Sequence, residues 1–379
     1  MKALGWIVGL IVGAVGGILV GIYVLAPDGG DAEATKAVSG TTGEEEPSAE
    51  AAGANQGTVV RWRMASTFAS QWPIHGDLGV MLVENIAKAT GGTVQVKYFE
   101  PGALVPALEL FDAVSAGSVD AGWSSPGYWA GKEAATPLFT TVPFGPNMSE
   151  YLAWLYGSDG EELFRELYAK YNIMALHCGL HPPEGSGWFR EPIESLDDLK
   201  GLKMRFFGLG GRVMEKLGVS TQMLAGGDVY PALELGTIDA LESSMPVSDL
   251  AQGFYQIAKH YYLPGWHQQT SLFEFIINMD RWNALTDTQR FQIEMVCGNH
   301  FKEGAAMGET MQAAAIAELL AKGTQIHEWP PEFIEVFRQA TAEVMEEEAA
   351  RDETFDKVWA SMKAFREAYA PWRDMGYLK

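Results

Sequence analysis

A pattern that occurs twice constrains this chain more than any other feature. Ala107-Leu108-Glu109-Leu110 leads to Gly117-Ser118-Val119-Asp120-Ala121, and Ala232-Leu233-Glu234-Leu235 leads to Gly236-Thr237-Ile238-Asp239-Ala240. Each copy reads as a helix, a glycine that stops it, and an aspartate entering a strand. The first copy follows the opening strands of the folded region; the second follows Arg205 by one helix and one strand. A fold that contains this unit twice has two lobes built alike. The length of 379 residues exceeds one typical domain and leaves ample core for each lobe.

Hydropathy fills in the rest. Thr58 to Ala65 alternates as a strand, Gly76 to Thr90 has helical spacing, and Thr93 to Phe99 is a second strand, together a right-handed parallel unit. Pro101-Gly102 turns the chain into a helix over Val105 to Ala116, capped by Gly117, and a strand starts at Ser118. Asn172 to Leu176 reads as a buried strand and the first crossing into the second lobe; Ser271 to Asn278 reads as the return. Residues 284 to 370 are helical by pattern, and Glu346-Glu347-Glu348 is a solvated face. The expected class is α/β, a two-lobed binding-protein architecture with hinge crossovers and C-terminal helices. Lobe I covers 58–172, lobe II 173–270, and the return strand with the C-terminal helices 271–379.

Ahead of the folded region, Ala3 to Ala26 carries no charge and would be about 36 Å long as a helix, enough to span a bilayer. Residues 1–26 read as a transmembrane anchor or a cleaved signal. Glycine at positions 5, 9, 13, 17 and 21 lays a smooth stripe along one helix face, which favours the anchor. Residues 27–57, rich in Gly, Ala, Glu, Ser and Thr, cannot bury enough surface to fold and form a tether of roughly 30 Å. The bulk of the chain is expected in the periplasm or outside the cell.

A net charge of −22 argues against nucleic acid or an anionic membrane surface as partner. The two cysteines, Cys178 and Cys297, have no metal-ligand spacing and lie in apolar runs, so buried thiols are preferred to a disulfide. The seven histidines form no His-Glu-x-x-His motif, no nucleophile elbow occurs, and Gly208-Leu209-Gly210-Gly211 lacks the rest of a phosphate loop. An enzyme is not expected.

Leu202 to Phe207 is a short strand that breaks at those glycines and continues into a helix through Val213 to Leu217. Arg205 near the carboxyl end of such a strand faces the crevice where open α/β sheets bind ligands. Its guanidinium is shaped to grip a carboxylate with two parallel hydrogen bonds.

Pro101-Gly102 with the first repeat, Gly187-Trp188-Phe189-Arg190, Asp197-Asp198-Leu199-Lys200-Gly201-Leu202-Lys203-Met204-Arg205 and Gly236-Thr237-Ile238-Asp239-Ala240 occur in one order. Together they resemble the solute receptors of tripartite ATP-independent periplasmic (TRAP) transporters, over roughly residues 60 to 370. Tyr261-Tyr262-Leu263-Pro264-Gly265-Trp266 and Ile238-Asp239-Ala240-Leu241-Glu242 are similar to the branch that binds 2-oxo and 2-hydroxy monocarboxylates with a metal ion. The resemblance implies that Arg205 clamps the ligand carboxylate, that Glu242 is a metal ligand, and that Ser243 ligates through its backbone carbonyl. Glu184 falls where that branch carries a glutamine ligand, and Gln268 falls where a relative has glutamate. Exchanging the acid between the two walls roughly keeps the local charge, and oxygen donors favour sodium or calcium.

Trp72, Trp123, Tyr128 and Trp266 are candidate apolar walls; His181 and His267 could approach the site, but a hydrogen-bonded structural role is preferred for each. The implied partners are a small carboxylate such as pyruvate or lactate, the TRAP permease subunits and, through the C-terminal helices, a second copy of the chain. The alternative is a tethered receptor for another organic acid, a dicarboxylate or sugar acid, or a sensor of the same fold.

Overall fold

Hydrogen bonding sorts the strands of this chain into two mixed sheets. The computed structural model describes residues 59–376, so the anchor or signal segment and the tether expected over 1–57 lie outside the described residues. Among the described residues no helix is long and apolar enough to cross a membrane. The strands are β1 (Val60–Ser66), β2 (Val94–Phe99), β3 (Ala121–Ser124), β4 (Ile173–His181), β5 (Gly187–Phe189), β6 (Lys203–Arg205), β7 (Ser220–Gln222), β8 (Ala240–Leu241), β9 (His260–Tyr262), β10 (Ser271–Asn278) and β11 (Gln325–His327). One sheet has the order β2-β1-β3-β10-β4 and the other β11-β9-β5-β8-β6-β7.

β4 and β10 are buried at every residue and pair antiparallel from Ile173↔Asn278 to His181↔Ser271. Such continuous burial belongs to strands covered on both faces. The sequence reading opens the second lobe at residue 173, whereas the chain stays in the first sheet along β4 and leaves it only at Pro182. It returns between Tyr262 and Ser271. These two crossings are laced together: Ser186 N–H donates to Tyr262 O at 2.7 Å, Gly265 N–H to Glu184 O at 2.8 Å, and Thr270 Oγ1 to His181 O at 2.8 Å.

Two expectations are corrected. Cys178 on β4 is disulfide-bonded to Cys297 on the helix Asp287–Ala321. Both are buried, as expected, but an apolar neighbourhood does not distinguish a lone thiol from a pair that topology brings together. In addition, β11 interrupts the expected helical region and pairs in parallel with β9.

The repeated pattern has one physical cause. Gly117 and Gly236 both have left-handed backbone, φ 73° and 71°, which lets Ser118 N–H and Thr237 N–H return to Ala113 O and Ala232 O at 2.9 Å in each copy. The aspartate that follows then caps a strand N–H: Arg63 N donates to Asp120 Oδ2 at 2.8 Å and Lys203 N to Asp239 Oδ2 at 3.0 Å. The same device therefore fixes the first strand beside each repeat, and in the second lobe that strand is β6, which carries Arg205.

Within the first lobe the carboxyl of Glu274 on β10 is fully buried, accepting from Trp129 Nε1 at 2.5 Å and meeting Tyr168 Oη at 2.5 Å. Burial pushes its pKa up to about 8, against the lowering effect of those two hydrogen bonds. The unfolded chain releases this proton near pH 4.3, so between roughly pH 4.3 and 8 the native state holds the extra proton and stability falls as pH rises, by at most about 1.4 kcal/mol per pH unit. Glu274→Gln, which has no proton to lose, is expected to show a shallower decline than the wild type when urea unfolding is measured from pH 5 to 8. Parallel pH profiles for the two proteins would show that Glu274 does not titrate in this way.

Candidate ligand and metal site

β6 and β8 are parallel neighbours with Arg205 opposite Leu241, so Glu242, one residue past β8, arrives beside Arg205. Arg205 Nη1 donates to Glu242 Oε2 at 3.0 Å and also to the Glu242 backbone carbonyl, and Phe207 N–H donates to the same Oε2 at 2.9 Å. The other oxygen, Oε1, faces the crossings. There the Gln268 amide Nε2 lies 3.0 Å from Glu242 Oε1 and 2.5 Å from Glu184 Oε2, bridging two carboxylates. His181 Nε2 meets Glu184 Oε1 at 3.1 Å, and His267 Nε2 lies 3.2 Å from Glu242 Oε1. Glu184, Arg205, Glu242, His267 and Gln268 are each no more than 3% exposed.

Two acids and one guanidinium in so dry a place cannot share the charge equally. Burial disfavours both carboxylates, but at Glu242 the guanidinium of Arg205, His267 and the Phe207 N–H overcome it and hold the carboxyl below its usual range. At Glu184 burial and the neighbouring Glu242 charge act together and push its pKa well up. The imidazoles of His75 and His181 are held neutral chiefly by burial, at about 3 and 4.

These groups enclose a narrow cavity of about 20 Å³. Arg205, Glu184, Tyr128, Ser243 and Gln268 line it, as the sequence reading expects, and Glu242 stands directly behind Arg205 and Gln268. Trp123 and Trp266 do not line it. Trp123 sits one layer back, giving its Nε1 hydrogen to His75 O at 2.8 Å, and Trp266 packs among Phe144, Phe206 and Phe337. The walls unforeseen from sequence are Phe68, His75, Ser125, Phe207, Ser271 and Phe273; only the position of Phe207, two residues beyond Arg205, offered a signal.

Trp72 lies across the cleft, its ring so close to Gly226 that a Cβ there would meet Trp72 Cη2 at 2.3 Å. A larger cavity of about 740 Å³ lies near Tyr156 and Phe301, but its charged groups are satisfied among themselves, Glu161 with His177 and Arg165, and Arg165 with Glu294.

The donor set fits a cation. Glu184, Glu242 and His267 each offer one atom, all within 4.8 Å of one another. Gln268 Oε1, His267 Nε2 and Arg205 Nε are buried with no hydrogen-bond partner, and buried polar atoms are rarely left so without a ligand to meet them.

Residues 64–352 match the model of the bacterial extracellular solute-binding proteins, family 7. The chain belongs to this family. Among relatives of this solute receptor, a monocarboxylate 2-oxoacid-binding periplasmic protein of Nostoc sp. PCC 7120 is 34% identical over 84% of this chain and 87% of its own length. A TRAP transporter solute-binding protein from Bordetella bronchiseptica RB50, a mixed-occupancy dimer with copurified calcium and picolinate, superposes with a TM-score of 0.80 at 33% identity, over 83% of this chain and 94% of that one. A TRAP periplasmic solute-binding protein from Pseudoalteromonas atlantica T6c, with bound sodium and pyruvate, gives 0.79 at 32% identity, over 83% and 95%. The periplasmic-binding-protein fold is thus that of the TRAP receptors.

Removing Arg205 alone strands the Glu242 carboxylate in the interior. Arg205→Met is expected to cost about 3–5 kcal/mol in urea unfolding with chelator present, while Arg205→Met/Glu242→Leu recovers most of it. If the double variant is no more stable than the single, the two charges are not compensating each other.

Proposed function

We propose that this receptor binds a small 2-oxo or 2-hydroxy monocarboxylate, such as pyruvate or lactate, together with a sodium or calcium ion. The observation that carries this reading is one cavity lined by a buried guanidinium with an open Nε and by the Glu184 carboxylate, with the Glu242 carboxylate just behind it, bridged to Glu184 by Gln268. An organic anion has its partner in Arg205, and a cation has its partners in Glu184, Glu242 and the backbone carbonyl of Ser243. When bound, the ion supplies a point of chelation for two adjacent oxygens and cancels charge that burial would otherwise penalise.

Picolinate and pyruvate, the ligands of the two solved relatives, share one chemical feature: a carboxylate with a second donor atom on the neighbouring carbon. Arg205 holds the carboxylate and orients it. The rings of Phe68, Phe207 and Phe273 exclude water and limit the ligand to a few heavy atoms. The crossings at 182–186 and 263–270 carry Glu184, His267 and Gln268, so hinge closure and assembly of the site are one event. The ligand is released unchanged to TRAP permease subunits, and the closed form is what they recognise. The uncharged segment and tether of residues 1–57 keep the receptor near them at the membrane.

Calorimetric titration of the receptor with pyruvate, lactate and longer 2-oxo acids, with and without calcium or sodium, tests this reading. Tight binding is expected that weakens without the ion. Arg205→Lys, which keeps the charge but loses the fork, is expected to bind about a hundredfold more weakly. Binding of none of these acids, or unchanged affinity in Arg205→Lys, would refute the assignment. Gly226→Ala, which pushes against Trp72 across the cleft, is expected to weaken binding about tenfold or more, and adding Trp72→Ala to restore part of it. Wild-type affinity in Gly226→Ala would mean that this contact does not form when ligand binds.

A further inference from the structure

We infer that His267 is a ligand of the cation, so that its seat is a mixed nitrogen and oxygen site open to borderline divalent ions such as Co²⁺ and Zn²⁺ as well as to hard ones such as Ca²⁺ and Mn²⁺. The inference rests on the metal-assisted reading above and specifies what this chain adds to it.

The position of the ion is marked by an amide. Gln268 Nε2 lies between Glu184 Oε2, at 2.5 Å, and Glu242 Oε1, at 3.0 Å, which is where two facing carboxylates most demand positive charge. His267 Nε2 lies 3.9 Å and 3.2 Å from those same two oxygens. An ion seated between the carboxylates is therefore beside the imidazole. The amide that it displaces can turn to present Oε1, an atom now without a partner.

Three histidines surround the site, and their hydrogen bonding separates them. His181 has Nδ1 hydrogen-bonded to Pro182 O at 2.8 Å, with Nε2 3.1 Å from Glu184 Oε1. His75 has Nδ1 near Pro73 O at 3.3 Å and Ser248 Oγ at 3.4 Å, and Nε2 near Ser244 Oγ at 3.4 Å. His267 is 1% exposed and neither of its nitrogens is hydrogen-bonded, although Glu242 Oε1 is close enough. Its ring is fixed edge-on to Phe206 at 5.1 Å and against Trp266 at 5.6 Å. A buried imidazole within 4 Å of two acids, with no hydrogen bond at either nitrogen, has the disposition of a ligand, and imidazole shifts preference from hard ions toward Co²⁺ and Zn²⁺.

The test uses the full chain stripped with chelator and reloaded with one equivalent of Mn²⁺. Electron spin-echo modulation from ¹⁴N is expected in the wild type and is expected to vanish in His267→Gln with Mn²⁺ still bound. In parallel, His267→Gln is expected to lower Co²⁺ affinity about tenfold or more while Ca²⁺ affinity changes less. Bound Mn²⁺ without ¹⁴N modulation, or modulation that survives in His267→Gln, would overturn the inference and leave the oxygen-only metal site standing. Failure of both Mn²⁺ and Ca²⁺ to bind the wild type would remove the metal-assisted reading itself and this inference with it.

Discussion

Two carboxylates, Glu184 and Glu242, face each other in a dry interior with one guanidinium between them and the strands. A carboxylate taken out of water needs a partner worth several kcal/mol. Arg205 is that partner for Glu242, spending one nitrogen on it, and little remains for Glu184 except the Gln268 amide and His181. Glu184 is therefore held toward its protonated form, and only an added positive charge would let both acids ionise. That need explains why polar atoms are left unpartnered here, and why a cation and an organic anion together suit the cavity better than either alone. The anion alone would add a second negative group beside Glu242, and the cation alone would leave the free edge of Arg205 unmatched.

The scaffold serves this arrangement through devices that recur. Asp120 and Asp239 close the same turn in both lobes, and the second of them anchors β6 at Lys203, two residues from Arg205. Glu242 is set by the parallel register of β8 on β6, and Glu184 and Gln268 by crossings hydrogen-bonded to one another. Each acid comes from a different element, one from the end of a strand and one from a hinge. Relative movement of the sheets must therefore change the distance between them. A gap that widens with opening lowers the repulsion, and a cation that bridges the gap favours closing.

What could be read from the chain alone follows from how local each signal is. The repeat, the strand ending at Arg205 and the largely apolar return strand are patterns within a few residues, and they survive intact. Glu184 stands in Pro182-Pro183-Glu184-Gly185, where composition suggests a solvated loop; only resemblance singled it out, because burial there is created by Gln268 and Glu242, residues far along the chain. The disulfide was missed for the same reason, since 119 residues separate its cysteines. Trp123 and Trp266 are the opposite case: large rings near the site in sequence that the packing places one layer behind it. β11 has three residues, too few to show a period.

The narrowness of the cavity then follows from the lips as much as from the floor. Phe207 packs edge-on to Tyr128 at 4.8 Å, and Trp72 seats on the bare backbone of Gly226. Both are contacts between residues of the first sheet's loops and the second sheet's elements, and neither leaves room for an additional methyl group. A ligand with a long chain would have to hold these rings apart while still reaching Arg205. One with a carboxylate, a neighbouring oxygen and a methyl group lets them close. In the proposed reading these contacts would select for size and Arg205 for the carboxylate, so the two could vary independently of each other.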